Sequence, residues 1–203
     1  PAMESGVLDI IIGKGPSART VQLDLPPFTL LGATTRFGML SAPLRSRFSG
    51  GAFRLEFYTP EEIGTILNRS ASILGISLPS HAMKNIAERS RQTPRIANYL
   101  LRRVRDYAQM HKSEINEEAV KRAFDMLGLD EHGLGAQDIS IMKTIVEKFG
   151  NGPVGIKNLA AALGEDEGTI EDVIEPYLIQ LGFLERTPRG RTLTEKGKEY
   201  LKK

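Results

Sequence analysis

No cysteine occurs in the 203 residues, which excludes a disulfide framework and any thiolate metal site and suits a reducing compartment. Long apolar runs are missing as well. The longest cover a handful of residues, far short of the roughly 20 that a membrane-crossing helix needs. The opening Pro1-Ala2-Met3-Glu4 has neither the basic nor the apolar region of a signal peptide, so a cytoplasmic protein with no membrane partner is expected. The three histidines, His81, His111 and His132, have no partner at ligand spacing, so neither a metal site nor general-base chemistry is expected. No serine, histidine and aspartate set stands out. A large charge of either sign is absent too, the formal net charge being +2.

What is present exceeds one average domain of about 100 to 150 residues, so more than one compact unit is expected. The basic residues gather late. Between 183 and 203 stand Arg186, Arg189, Arg191, Lys196, Lys198, Lys202 and Lys203 against three glutamates. Taken alone, such a cluster is a solvated face as readily as a nucleic-acid footprint.

Read in order, Val7–Ile12 is an apolar β-type run and residues 19–25 alternate, with a turn-forming Gly13-Lys14-Gly15-Pro16-Ser17-Ala18 between them, so a β-hairpin is predicted over 7–25. The glycine-rich turn does not have phosphate-loop spacing, a strand follows it rather than a helix, and proline removes an N–H from any cradle. Residues 28–33 are continuously apolar and end in Thr34-Thr35-Arg36, the pattern of a buried strand with a polar tip, and residues 53–58 alternate as another strand. Thr59-Pro60-Glu61-Glu62 is an N-cap with proline at the first helical position and acids in the first turn. It opens a helical bundle with further amphipathic segments near 80–91, 94–111 and 116–127.

Residues 128–137 are rich in glycine and charge and form a candidate linker. Beyond them, 138–149, 156–163 and 169–181 read as three short helices, and 183–186 and 191–194 as strands around Pro188-Arg189-Gly190. Three helices followed by a basic hairpin make a winged helix. Asp172 and Glu175 place acids on its third helix, which argues against base reading in a major groove. The arginines of the hairpin suit phosphate contacts, so shape-directed, sequence-tolerant DNA binding is expected, the alternative being a winged helix used for protein contacts. Elsewhere, Arg45 and Arg47 form a pair beside a turn. Arg95 sits in the first turn of a helix, where the dipole disfavours a cation, which points either to a bound anion or to a neighbouring acid.

The segments PAME, IIGKGPSARTVQLDLPPFTLLGATTR, APLRSRF, LEFYTPEE, RSRQTPRIANYLLRRVRDYAQ, GPVGIKNLAAALGE and TIEDVIEPYLIQLGFLERTPRGR, taken in order, closely resemble the RuvB family of AAA+ branch-migration motors, over nearly the whole chain. The resemblance implies an α/β fragment of an AAA+ ATPase core with a β-hairpin insertion (1–58), an all-α lid bundle (59–132) and a winged-helix domain (133–203). It implies an ATP- and Mg2+-using homo-hexameric ring on double-stranded DNA, acting on Holliday junctions with RuvA, with RuvC as a further candidate partner.

Carried over by position, Thr35 corresponds to the first nucleotide sensor, with Thr34 as the lesser candidate, and Arg47 to the arginine finger. Arg95 corresponds to the second sensor, and Tyr58 and Glu4 to nucleotide-edge residues. Arg186 and Arg191 match DNA-contacting wing arginines, with Arg189 between them. Val21 and Leu23 lie in the element that docks RuvA.

The phosphate loop and magnesium-binding acidic motif that precede PAME in the family are not among these 203 residues, so this chain alone is expected neither to bind ATP well nor to hydrolyse it. Ser5-Gly6, Ser49-Gly50-Gly51 and Glu167 also depart from the family pattern, Glu167 standing where relatives often present an arginine. Two other readings compete: a non-motor AAA+ initiator or loader, which the hairpin argues against, and a stand-alone winged-helix regulator, which the acidic third helix argues against.

Overall fold

The computed structural model describes residues 2–15 and 18–202. The turn residues Pro16 and Ser17 of the expected hairpin lie outside the described residues. The chain forms two compact units, residues 1–55 and 56–203.

In the first unit a short helix α1 (Ala2–Ser5) leads into β1 (Val7–Ile12), which pairs antiparallel with β2 (Arg19–Asp24). The register sets Leu8 opposite Leu23 and Ile10 opposite Val21, and the Leu25 N–H closes the base on the Gly6 carbonyl at 2.7 Å. A single 3-10 turn (Phe37–Met39) and α2 (Ala42–Ser46) follow. The two further strands expected at 28–33 and 53–58 do not form, and Leu31 and Leu55 are more than nine-tenths exposed. The reason is backbone pairing: an apolar run becomes a strand only where neighbours take up its N–H and C=O groups in a ladder, and among the described residues no strand ladder includes either run.

The second unit begins with four helices, α3 (Pro60–Ile73), α4 (Ser80–Arg89), α5 (Pro94–Met110) and α6 (Glu117–Leu127). Thr59 caps α3 through a reciprocal box: its hydroxyl accepts from the Glu62 N–H at 3.3 Å and the Glu62 carboxylate accepts from the Thr59 N–H at 2.8 Å. Asn116 caps α6, and Gly128, left-handed at φ 63°, ends it. Ile63, Leu67, Ile86, Leu100, Leu101 and Phe124 meet in one core.

A second core holds Ile141, Ile145, Leu159, Ile170, Leu178 and Phe183. Around it lie α7 (Ala136–Glu147), α8 (Ile156–Leu163), a helical stretch made of α9 (Glu167–Thr169), a π turn (Ile170–Ile174) and α10 (Glu175–Gln180), then β3 (Leu184–Thr187), β4 (Gly190–Leu193) and α11 (Glu195–Leu201). This is the winged helix the sequence suggests, with two additions. The third helix is widened by the π turn, and the closing helix α11, which Thr194 caps by accepting from the Gly197 N–H, was not foreseen. Among the described residues no helix is long and apolar enough to cross a membrane.

The expected linker is a bonded corner. The Asp130 carboxylate accepts from the N–H groups of His132 and Leu134, both at 2.8 Å, and from the Tyr200 hydroxyl, while Arg89 Nε donates to the Asp130 carbonyl at 2.9 Å. An aspartate that ties its own following backbone makes a turn out of what composition alone reads as a tether. Beside it, Arg91 donates to the Asp138 carboxylate at 2.6 Å and to the Gly133 carbonyl, and its guanidinium lies 4.9 Å from the centre of the Tyr177 ring. Arg91 and Gln92 hold left-handed backbone at φ 52° and 55°. Two consecutive non-glycine residues there are costly, and the bonds around Arg91 are what hold them.

Candidate functional site

The wing is built on one short segment. Gly190 and Arg191 run alongside Val154, with Arg191 N–H to Val154 O at 2.8 Å and Val154 N–H to Arg191 O at 2.9 Å. Only glycine fits at 190: its φ is 137°, and a Cβ there would lie 2.4 Å from the Val154 carbonyl oxygen. The Thr187 hydroxyl closes the turn by donating to the Gly190 carbonyl at 2.9 Å.

The hairpin arginines have three different surroundings. Arg189 is at the turn, exposed, and among the described residues its guanidinium makes no hydrogen bond or ion pair. Arg186 is half-exposed and donates to the Glu175 carboxylate. The side chain of Arg191 is 8% exposed, with Nε donating to Glu175 Oε1 and an Nη donating to Glu171 Oε1 at 2.6 Å. Burial opposes the charge on Arg191, but the hydrogen bonds to Glu175 and Glu171 outweigh it and hold the guanidinium pKa above its ordinary value. The expectation that Glu175 lies with Asp172 on an outward acidic face is corrected: Glu175 is fully buried and faces the wing. Glu167 and Asp172 do lie outward. The outer face of the third helix therefore offers acids and Val173, 64% exposed, and no cation.

The residues matched to the nucleotide edge fall into the two units. In the first, Arg47 donates to Glu4 at 2.6 Å and to the Pro43 carbonyl at 2.9 Å. The Arg47 hydrogen bond and charge hold the Glu4 carboxyl below its ordinary value. Thr35 is exposed, and Thr34 Oγ1 accepts from the Arg36 N–H at 3.0 Å. In the second unit the Tyr58 N–H donates to the Gln92 carbonyl at 3.3 Å, three residues before Arg95. Arg95 is exposed in the first turn of α5, and among the described residues no carboxylate pairs with it. Among the described residues no group of three or more histidine, aspartate and glutamate side chains could hold a metal ion.

On the β1–β2 hairpin the cross-strand pairs Leu8–Leu23 and Ile10–Val21 share one face. Val21 is 41% and Leu23 44% exposed, so a continuous apolar strip lies open.

Sequence reasoning missed the roles of Glu171, Glu175, Arg91 and Asp138. A signal existed for the first two: on a helix 171, 174, 175 and 178 fall on one side, and Ile174 and Leu178 are core residues, so that side faces inward. For Arg91 and Asp138 there was none, because 47 residues separate them.

Three family models match consecutive parts of the chain: the Holliday junction DNA helicase RuvB P-loop domain over 1–54, the RuvB AAA lid domain over 58–130 and the RuvB C-terminal winged helix domain over 131–202. Among solved structures, the chain is similar to the Thermotoga maritima RuvB Holliday junction branch migration motor, with 49% identity and a TM-score of 0.82 over 88% of this chain and 60% of that one. A proline-to-glycine variant of the same Thermotoga maritima protein aligns over 99% of this chain and 63% of its own, at 46% identity and a TM-score of 0.86. The chain thus spans about three fifths of the length of these solved relatives. With the hairpin, the lid bundle and the wing all matched in order, the chain belongs to the RuvB family.

Proposed function

We propose that this chain is part of an ATP-driven DNA motor that moves Holliday junctions during recombination and repair, and that its wing grips duplex backbone without reading sequence. The observation that carries this is the wing itself, a hairpin with the exposed Arg189 guanidinium at its turn and Arg186 half-exposed on its flank. Guanidinium forks on a protruding loop match phosphate oxygens, while the outer face of the third helix, with Glu167, Asp172 and Val173, presents no cation to base edges.

The division of labour follows the family: 1–58 belongs to the ATPase core, 59–132 to the lid and 133–203 to the DNA-binding domain. Arg95 is an exposed cation at a helix N-terminus, with no carboxylate partner among the described residues, near Tyr58, which fits contact with a nucleotide phosphate, and Thr35 and Arg47 would act at the γ-phosphate, Arg47 on a neighbouring copy. ATP with Mg2+ would supply the driving reaction. Among the described residues no cluster of three or more carboxylates and histidines could hold the ion. The ion pair with Glu4 would have to open for Arg47 to reach a neighbour's nucleotide. The apolar strip around Val21 and Leu23 would dock RuvA, the ring would be a homo-hexamer on double-stranded DNA in the cytoplasm, and RuvC would join it at the junction.

Fluorescence anisotropy of the 203-residue chain on labelled duplex and four-way DNA at two salt concentrations tests the DNA reading. Binding to both, weakened by salt and lost in an Arg186→Ala/Arg189→Ala double variant, is expected. Binding that ignores salt, or a double variant equal to the parent, would assign the wing to protein contacts instead.

A further inference from the structure

Arg186 and Arg191 are direct cross-strand partners in the wing. Like charges placed opposite each other on a strand pair repel, so the hairpin alone should splay at this rung. The Glu175 carboxylate sits against both, taking the Arg191 Nε on one oxygen and Arg186 on the other, and Glu171 takes the remaining side of Arg191 at 2.6 Å. Two carboxylates and two guanidiniums leave this cluster with no net formal charge.

The arginines are not equivalent within it. Arg191 is sealed, with its backbone on Val154 and its fork on the third helix. Arg186 has a side chain 48% exposed, and one Nη is committed to Glu175. The rest of that guanidinium is available to a ligand.

We infer that Glu175 is a positioning residue for DNA binding: it holds the exposed Arg186 fork in place for a backbone phosphate, while Arg191 latches the wing to the third helix and touches no phosphate itself. This rests on the proposed DNA reading of the wing. It also reverses a simple electrostatic expectation. Removing an acid near DNA should tighten binding through lower repulsion, whereas removing a positioning acid should weaken it.

The test is anisotropy of the full 203-residue chain on a labelled duplex, titrated over a salt series, with thermal unfolding of every variant. Glu175→Gln should bind about tenfold more weakly than the parent, the effect of one lost charge-assisted contact. Because Glu175→Gln leaves Arg191 short of a buried partner and can misfold, Glu171→Gln is the second arm. The Glu171 side chain is 41% exposed and, among the described residues, forms its ion pair with Arg191, and a smaller fall in the same direction is expected. Arg191→Lys keeps the charge but loses the fork, so it should weaken binding while the slope of log K against log salt stays at the parent value. Arg186→Gln and Arg189→Gln should each flatten that slope by about 0.9.

Folded Glu175→Gln or Glu171→Gln that binds as tightly as the parent or tighter overturns the positioning role. A slope reduced by about 0.9 in Arg191→Gln would make Arg191 a phosphate contact and overturn the latch. If the parent itself binds no DNA even at low salt, the DNA reading fails and this inference falls with it.

Discussion

Replacing Arg91 by methionine should separate the lid from the winged helix energetically. In the parent, Asp138 has a side chain only 4% exposed, and its Oδ2 accepts from one Arg91 Nη at 2.6 Å and from the Gly135 N–H at 2.7 Å. Oδ1 is buried with no partner among the described residues. Methionine keeps most of the aliphatic stem but leaves a buried carboxylate without its cation, a change that typically costs about 3 to 5 kcal/mol. The Gly135 N–H and the N-terminal dipole of α7 still favour the anion by up to about 1 kcal/mol. Relief of the left-handed backbone at 91 and 92 offsets some more.

A net loss of about 2 to 3 kcal/mol follows, or a fall in Tm of roughly 4 to 12 °C for a unit of this size. Denaturant and thermal unfolding by circular dichroism measure it, and hydrogen exchange shows whether lid and winged-helix amides still open together. The double variant Arg91→Met/Asp138→Leu should recover most of the loss, because no unpaired charge remains. A single-variant loss below about 0.5 kcal/mol, or a double variant whose loss is the sum of the two singles, would refute the reasoning.

Further outcomes are expected. Gly190→Ala should cost about 3 kcal/mol or more in unfolding experiments, since its Cβ would meet the Val154 carbonyl at 2.4 Å and its φ of 137° is strained for alanine; DNA affinity should fall with it. Val21→Asp should leave Tm nearly unchanged, because the side chain is already 41% exposed, and should abolish capture by RuvA in a pull-down with the purified partner. Glu4 titrates below the ordinary carboxylate value of 4.5 because of Arg47. A depressed folded pKa gives stability that is present above 4.5 and disappears as pH falls through the lower folded value, so acid should loosen the Glu4–Arg47 pair. Carboxyl NMR should show the Glu4 titration returning to about 4.5 in Arg47→Ala.

The helical half of the molecule was legible because its signals are local. Thr59-Pro60-Glu61-Glu62 announces α3, Gly128 ends α6, and the apolar spacing of α5 survives into the core as Leu100, Leu101 and Val104. The runs at 28–33 and 53–58 misled because a strand is completed by its neighbours, which a run of residues does not contain. The wing was located correctly, but its chemistry was only half readable. Arginine spacing names three cations, and only the packing of Glu175 separates the outward pair from the sealed one. The corner at Asp130 was hidden for the opposite reason: glycine and charge are what a tether needs, and they are also what a tight aspartate turn needs.

Pro176 gives the π turn a further meaning. A proline there has no N–H to offer the Asp172 carbonyl, and the preceding Glu175 N–H reaches back to Ile170 instead, so one surplus residue is stored in the widened turn. That surplus acts like a phase shift in a screw thread: everything after it is rotated relative to a plain α-helix. A chain with alanine at 176 would gain a better helix and could wind the surplus out. The residues that follow would then meet the core at a different angle, so the residue least suited to a helix is the one that sets the phase of its last turns.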